Sequence, residues 1–319
     1  MSAGCVIGVD LGGTKLLAGT VCADMTVRHR AMRPSRGDDQ QQVIDTLVDA
    51  IDEVRRAAGE DVRAVGVGIP SLMDFERGVA LTTVHLPIDH VPVRDVLAER
   101  LGVPVFVDND ANAALLAEHR RGAAADARHA VMLTLGTGIG GGILADGRLV
   151  RGVLGAAGEL GHMVIDADGP PCFGSCPNNG CLEAMASGSA LGRDALAVAQ
   201  RAPDSALGRA LADGQEITGA LATELAHDGD AEAGELVARA GGLLGVGIAN
   251  LVNIFNPEVV VVGGGVIAAG ELLLGPAREV VAQRALGPPR DAVRVVPAHF
   301  GAESGMLGAA ALAFDGLGA

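Results

Sequence analysis

Apolar and polar positions along this chain switch between two periods. Residues 5 to 31 read as an apolar run, a glycine loop, a second apolar run, a polar turn near Asp24 and a third strand. From Val43 to Val54 the apolar positions Val43, Ile44, Leu47, Val48, Ile51 and Val54 recur at helical spacing. Asp38 and Asp39 precede them and Gly59 stops them, which predicts a capped helix. A buried strand (AVGVGIP), a short helix ending at Gly102, the strand VPVFVD and a helix opening at NDANAALLAEHRRG follow. The pattern then restarts: AVMLTLGTGIGGGILADGRLVRG is again strand, glycine loop, strand, Asp-Gly turn, strand. Ala-rich helical tracts fill the stretch from about Ser187 to Asn256. The strand EVVVVGGG, a helix after Pro276, the strand VRVVPAHF and a last helix, GMLGAAALAF, complete the chain. A hairpin unit followed by α/β alternation, given twice at too long a period for a solenoid, predicts two similar α/β domains with a cleft between them.

Composition narrows this picture. Hydrophobic residues make up 49% of the 319 positions while aromatics make up 2%, so small aliphatic side chains must fill the core. A formal charge of −15 argues against nucleic acid and anionic membrane surfaces, which reward basic patches. The most apolar tract, GGLLGVGIANLVNIFNPEVVVVGGG, is interrupted by Asn250, Asn253, Asn256 and Pro257 short of the roughly 20 apolar residues a span needs. It reads as a buried helix, a break and a buried strand. MSAGCVIGVD lacks a basic segment followed by a long apolar one, so the expectation is a cytoplasmic protein with reduced thiols.

Three glycine-rich turns each follow an apolar strand: DLGGTK (Asp10 to Lys15), GTGIGGG (Gly136 to Gly142) and GGG (Gly263 to Gly265). Glycine permits close backbone approach, so successive N–H groups can point at phosphate oxygens; it also simply makes tight hairpins. Three such turns in one chain favour a nucleotide. None fits the Walker A pattern, and GTGIGG lacks the following helix of a dinucleotide site. Lys15 is the single lysine among 24 Lys and Arg residues. A compact ammonium suits a phosphate oxygen, and a chance survivor in an arginine-preferring composition reads equally well.

VDNDANAALL puts Asn109 and Asp110 at a strand-to-helix junction, the usual ligand position in open α/β folds. Either residue could be merely an N-cap, and a carboxylate there could instead take the proton of a substrate hydroxyl. His162 of GELGH lies ten residues before Cys172, and Cys172, Cys176 and Cys181 are three of only five cysteines. A disulfide clip, a metal site and buried thiols compete. Turn-forming Pro171, Gly174, Pro177 and Gly180, with a Cys₃His ligand supply, favour structural zinc. Cys5 and Cys22 sit in strand-like runs and read as core.

DLGGTK, VDNDANAA, LGTGIGGG, GELGH and GCLE, in this order and across nearly the whole chain, resemble the bacterial ROK family of sugar kinases, most closely its glucokinases. The resemblance implies an actin-like (ribonuclease H-like) ATPase fold. Residues 1–118, completed by a C-terminal helix in 303–319, would form one domain, and 119–302 a larger one. It implies Asp110 as general base for a hexose hydroxyl attacking the γ-phosphate of ATP, with glucose leading and N-acetylmannosamine, fructose, mannose or allose behind it. Asp10 would hold Mg²⁺, while Gly12, Gly13, Thr14, Lys15, Gly136, Thr137 and Gly138 cradle phosphates and Gly264 and Gly265 face the adenosine. Asn109, Glu159, His162 and Glu183 would bind sugar hydroxyls. His162 with Cys172, Cys176 and Cys181 would hold zinc, and the assembly would be a homodimer or a dimer of dimers.

Three departures from the family stand out. Three residues, where one is usual, separate Cys172 from Cys176. Ser71 replaces a glycine after GVGIP. HLPIDHVP carries His85 where Asn-Leu and Trp are common. Two rival roles are weighed: a sugar-responsive repressor would need a helix-turn-helix ahead of the loop that begins at Val6, and a filament or chaperone relative would lack GELGH with its cysteines.

Overall fold

The structure, a computed structural model, describes residues 4–35, 37–59, 62–83 and 86–318. The chain opens with the strands β1 (Val6–Leu11), β2 (Lys15–Val21) and β3 (Val27–Pro34), then α1 (Gln40–Ala58). Asp39 caps α1 by accepting a hydrogen bond from the Gln42 N–H (2.9 Å), and Gly59 ends it in the left-handed region at φ 58°. Then come β4 (Val65–Ile69), β5 (Ser71–Asp74), β6 (Val79–Thr83), β7 (Asp89–Val91), α2 (Val93–Leu101), β8 (Val105–Asn109) and α3 (Asp110–Arg121). Strands β3-β2-β1-β4-β8 form one five-stranded sheet.

The second half repeats the plan. It contains β9 (Ala130–Leu135), β10 (Ile139–Ala145), β11 (Arg148–Leu149), α4 (Leu182–Ala186), α5 (Gly188–Arg201), α6 (Ala206–Ala212), α7 (Gly219–His227) and α8 (Ala231–Phe255). The chain closes with β12 (Val259–Gly263), α9 (Glu271–Arg284), α10 (Gly287–Ala292), β13 (Arg294–Pro297) and α11 (Ser304–Gly316). The second sheet, β11-β10-β9-β12-β13, has the same hairpin-then-parallel order as the first. The duplicated α/β fold class is as expected, with mixed sheets whose central strands β1, β4 and β12 are buried on nearly every residue.

Helix α11 returns to the first sheet and packs on β1, β4, β8 and α3. Glycine makes this close approach possible: a Cβ on Gly66 would lie 1.7 Å from the Ala309 carbonyl oxygen, and one on Gly308 would lie 1.6 Å from that of Ala113. Helix α3 belongs to the first sheet by sequence yet also covers β10, where Gly140 and Gly142 face Ala111 and Leu115. It therefore lies between the two sheets, and it runs on to Arg121, past position 118. Near its C-terminus the buried Glu118 accepts from the N–H groups of Ala123 (2.8 Å), His299 (3.0 Å) and Phe300 (3.0 Å) and from the Ser304 hydroxyl (3.1 Å). One carboxylate thus ties together both places where the chain passes between the sheets.

Three details differ from the sequence reading. Strands β5, β6 and β7 form a small antiparallel sheet over 71–91 that the mixed polarity of SLMD, VALTT and DHV did not announce. Pro276 lies inside α9 instead of before it. The face of Leu273, Leu274, Ala277 and Val281 packs on α8, where Gly241 and Gly245 let the Leu273 and Ala277 backbones approach, and this burial outweighs the lost backbone hydrogen bond. Helix α8 continues through Asn250 and Asn253 to a left-handed cap at Asn256 (φ 45°). Among the described residues it is the single helix long and apolar enough to cross a membrane, and Val237, Leu244, Ile248 and Leu251 bury in the larger core.

Candidate active site

The three glycine turns and the strand-to-helix junction converge where the sheets face each other. In the β1–β2 turn the Gly12 N–H donates to the Lys15 carbonyl (2.9 Å), so Thr14 and Lys15 project outward and exposed. Asp10, on the last turn of strand before this loop, lies against Gly305 at the start of α11, where a Cβ would come within 2.5 Å of its carboxyl carbon. Burial and the nearby charge of Asp110 push the Asp10 carboxyl up to about 7, with Lys15 pulling the other way.

The β9–β10 turn is closed by Gly136 donating to Gly138 (2.9 Å) and is braced from outside. The Gly188 N–H donates to the Gly136 carbonyl (2.8 Å) and Ser189 N–H to that of Thr137 (3.3 Å), so the N-terminus of α5 abuts the loop. Gly264 (φ 84°) touches the Leu135 carbonyl directly ahead of Gly136, which seats the third glycine turn beside the second; Gly264 and Gly265 are exposed. The Ser187-Gly188-Ser189 segment escaped sequence reasoning. A serine N-cap with glycine at the first helical position was its available signal.

Asn109 caps α3, its side-chain oxygen accepting from the N–H groups of Ala111 (2.9 Å) and Asn112 (3.2 Å), while its amide nitrogen donates to the Ser71 carbonyl (3.4 Å). The capping role is real, and it leaves Asn109 only donors to offer. Asp110 opens the helix and accepts from the Ala111 N–H (2.9 Å). Burial raises its carboxyl to about 6; the Ala111 N–H opposes this and the charge of Glu159 adds to it. Glu159 is itself raised, mainly by burial, against the pull of His162 and with a push from Glu183. Its carboxylate lies 3.9 Å from Nε2 of His162. Glu183 accepts from the Ile139 N–H (2.7 Å), with the same oxygen 2.2 Å from where a Cβ on Gly138 would sit, so it joins the second glycine turn to the acidic cluster. Asp110, Glu159, His162 and Glu183 are thus brought together.

The cysteine loop also closes. Nδ1 of His162 and Sγ of Cys172 are 3.5 Å apart and Sγ of Cys176 and Cys181 are 3.8 Å apart; the four ligand atoms all lie within 4.8 Å of one another. Tetrahedral zinc with Zn–S bonds of about 2.3 Å sets its sulfurs about 3.8 Å apart, so the residues fit that ion. Gly174 at φ 63° turns the chain within the longer Cys172–Cys176 spacing, and Cys172 N–H donates to the Asn178 carbonyl (2.9 Å). Burial and the two neighbouring sulfurs push the Cys172 thiol up to about 12, a crowding that a cation would relieve. With Nδ1 turned to the sulfurs, Nε2 of His162 faces Glu159 and the cleft.

Of the departures noted above, the Ser71 hydroxyl donates to the main-chain oxygen of Thr82 (2.8 Å). His85 lies outside the described residues.

Residues 6–315 match the model of the ROK family. The glucokinase of Thermotoga maritima is 38% identical over 316 residues, spanning 98% of both chains. Among solved structures, a ROK family glucokinase from Streptomyces griseus in complex with glucose and AMPPNP is 35% identical with a TM-score of 0.88, covering 98% of this chain and 100% of that one. A ROK hexokinase from Thermus thermophilus is 38% identical with a TM-score of 0.78, covering 98% and 99%.

Proposed function

The chain belongs to the ROK family, and on that premise we propose that it is an ATP-dependent hexose kinase that converts glucose to its 6-phosphate. The observation that carries the residue roles is the meeting of Asp110, held near pKa 6, with Glu159, His162 and Glu183 at a cleft flanked by three glycine turns. Asp110 accepts the proton of the attacking 6-hydroxyl as its oxygen bonds to the γ-phosphorus and ADP departs. A base poised near the working pH suits that transfer. Glu159, His162 through Nε2 and the second oxygen of Glu183 accept from or donate to the ring hydroxyls, and Asn109 donates from its amide.

Backbone amides of Gly13, Thr14, Thr137 and Gly138, with the Lys15 ammonium, receive the phosphates, while Gly12 and Gly136, whose own N–H groups close the two turns, let the phosphates approach the backbone. Gly264 and Gly265 leave a flat, side-chain-free surface for the adenosine. The buried carboxyl of Asp10 next to Asp110 fits a divalent cation, since such a charge would restore its ionisation; Mg²⁺ held there supplies charge neutralisation for a loose transition state. Zinc on His162, Cys172, Cys176 and Cys181 is proposed as structural: it fixes the tautomer of His162 and aims Nε2 at the sugar.

We further assign residues 1–118 with 303–319 to one lobe and 119–302 to the other. Cytoplasmic location and a homodimer or dimer of dimers rest on family resemblance, and light scattering after gel filtration tests the latter. ATP with Mg²⁺ against glucose, mannose, fructose, allose and N-acetylmannosamine tests the activity, with Asp110→Asn as control. Sugar binding without turnover of any of these would instead make the chain a regulator.

A further inference from the structure

The segment from Val150 to Gly158 joins β11 to Glu159 and is built as a strap. Gly152, Gly155 and Gly158 have φ of 71°, 74° and 98°, and the Ala157 N–H donates to the Arg151 carbonyl (2.9 Å), which folds the segment back on itself. It follows the second sheet in sequence, and Gly158 still packs on β10 at the Gly141 carbonyl, while the middle of the segment reaches over to β5 and β8. A Cβ on Gly155 would lie 1.9 Å from the Met73 carbonyl oxygen of β5. The Arg151 guanidinium crosses to β8, where Nε and a terminal nitrogen donate to one carboxylate oxygen of Asp108 (2.9 and 2.7 Å), and its carbon sits 3.8 Å from the centre of the Phe75 ring. Asp108 is 1% exposed, and its other oxygen accepts from the Asn109 N–H (2.8 Å) and the Asn112 amide (3.1 Å).

A chain of contacts thus runs from the strap that ends at Glu159, through Arg151 and Asp108, to the main chain of the residue preceding Asp110. We propose that Arg151 is a positioning residue: it clamps the strap to the lobe of Asp110, so that Glu159 and Asp110 face one sugar, without touching the sugar itself. The proposal rests on the hexose kinase reading. Arginine fits this place because a planar guanidinium can give two N–H groups to a carboxylate and a flat face to a ring, whereas a lysine ammonium offers only a point charge. Buried ion pairs are weak evidence for stability alone, so a kinetic readout decides the role.

The test is steady-state kinetics, calorimetric glucose binding and thermal melting of Arg151→Lys and Arg151→Met. Because an Å-scale misplacement can cost about 100-fold, kcat/KM for glucose should fall about 10- to 100-fold in Arg151→Lys, shared between kcat and glucose KM. Its KM for ATP should stay within about twofold, since the Arg151 guanidinium reaches Asp108 and Phe75 and not the residues assigned to the phosphates, and its melting temperature within a few degrees. Lysine should recover part of what Arg151→Met loses; if Arg151→Met does not fold, Arg151→Lys carries the test. Either variant folded with unchanged kcat and glucose KM, or a lower melting temperature with unchanged kinetics, overturns the proposal. Were the wild-type chain inactive on every hexose, the kinase reading would fail instead. Unchanged glucose affinity in Arg151→Lys would then refute the clamp separately.

Discussion

Superposed by register, the two sheets share a plan and differ at a few positions that decide everything chemical. Leu11 and Leu135 end their first strands, so Asp10 stands where the second sheet has Thr134, while Gly8 and Gly66 stand where it has Met132 and Val261. The first sheet lets a helix backbone touch its strands and keeps a half-buried acid beside its glycine turn. The second fills the same space with side chains, presents a hydroxyl, and receives its acid, Glu183, from a helix outside the sheet. Duplicated topology fixes where a loop points; the residue at each register position sets whether a carboxylate or only a hydroxyl stands beside it.

The largest expected effect separates the acid-bearing lobe from the hydroxyl-bearing one. Asp110→Asn should lower kcat about 10²- to 10⁴-fold with its melting temperature nearly unchanged, whereas Thr134→Val, losing one neutral hydrogen-bonding group, should cost less than about tenfold. Equal losses would break the comparison. Next, Gly66→Val, which gives the first sheet the residue of the second, should drive a side chain into the Ala309 carbonyl and cost about 3 kcal/mol or more in urea unfolding. The reciprocal Val261→Gly leaves a cavity and should cost about 2 kcal/mol. The reverse order would show that α11 is free to lift.

A smaller effect isolates the metal. Stripping zinc, or Cys176→Ser, should weaken glucose binding about tenfold and lower the melting temperature while the KM for ATP holds. Unchanged sugar affinity in the folded variant would reduce the ion to a loop staple. The smallest effects are pH profiles. A base at about 6 makes kcat/KM fall roughly tenfold per unit as pH drops below 6. For stability the sign is the opposite. Asp10 and Asp110 have folded pKa values of about 7 and about 6 against 3.8 ordinarily, so between these values the folded state binds more protons. Unfolding free energy of the ligand-free protein should therefore decline as pH rises from about 4 to 7, and a flat profile would contradict the burial of both acids.

Much of this was legible in one dimension because it rests on local rules. Glycine after an apolar strand marks the turns, Asp39 and Gly59 bracket α1, and Asn109 opens α3 by capping two N–H groups that any helix start leaves unpaired. The His162, Cys172, Cys176 and Cys181 cluster was legible by residue type, and Gly174 accommodated its unusual spacing. Less could be read where long-range packing overrides local preference: Pro276 within α9, Asn250 and Asn253 within α8, and β5 to β7 over mixed-polarity segments. The long-range roles of Arg151 and Glu118 carried no local signal, since Asp108 and His299, the partners that define them, lie 43 and 181 positions away.

The sequence by itself determined the duplicated strand–turn–strand plan, the helix ends and the set of chemical groups, since each follows from periodicity, backbone freedom and side-chain type within a few residues. Only the tertiary structure decided that Asp110 and Glu159 share one cleft, that Asp108 pairs with Arg151 across the sheets, and that the carboxyls of Asp10 and Asp110 are raised well above the ordinary carboxylate range. Those properties depend on distance and loss of water, and both arise only when remote segments are packed against one another.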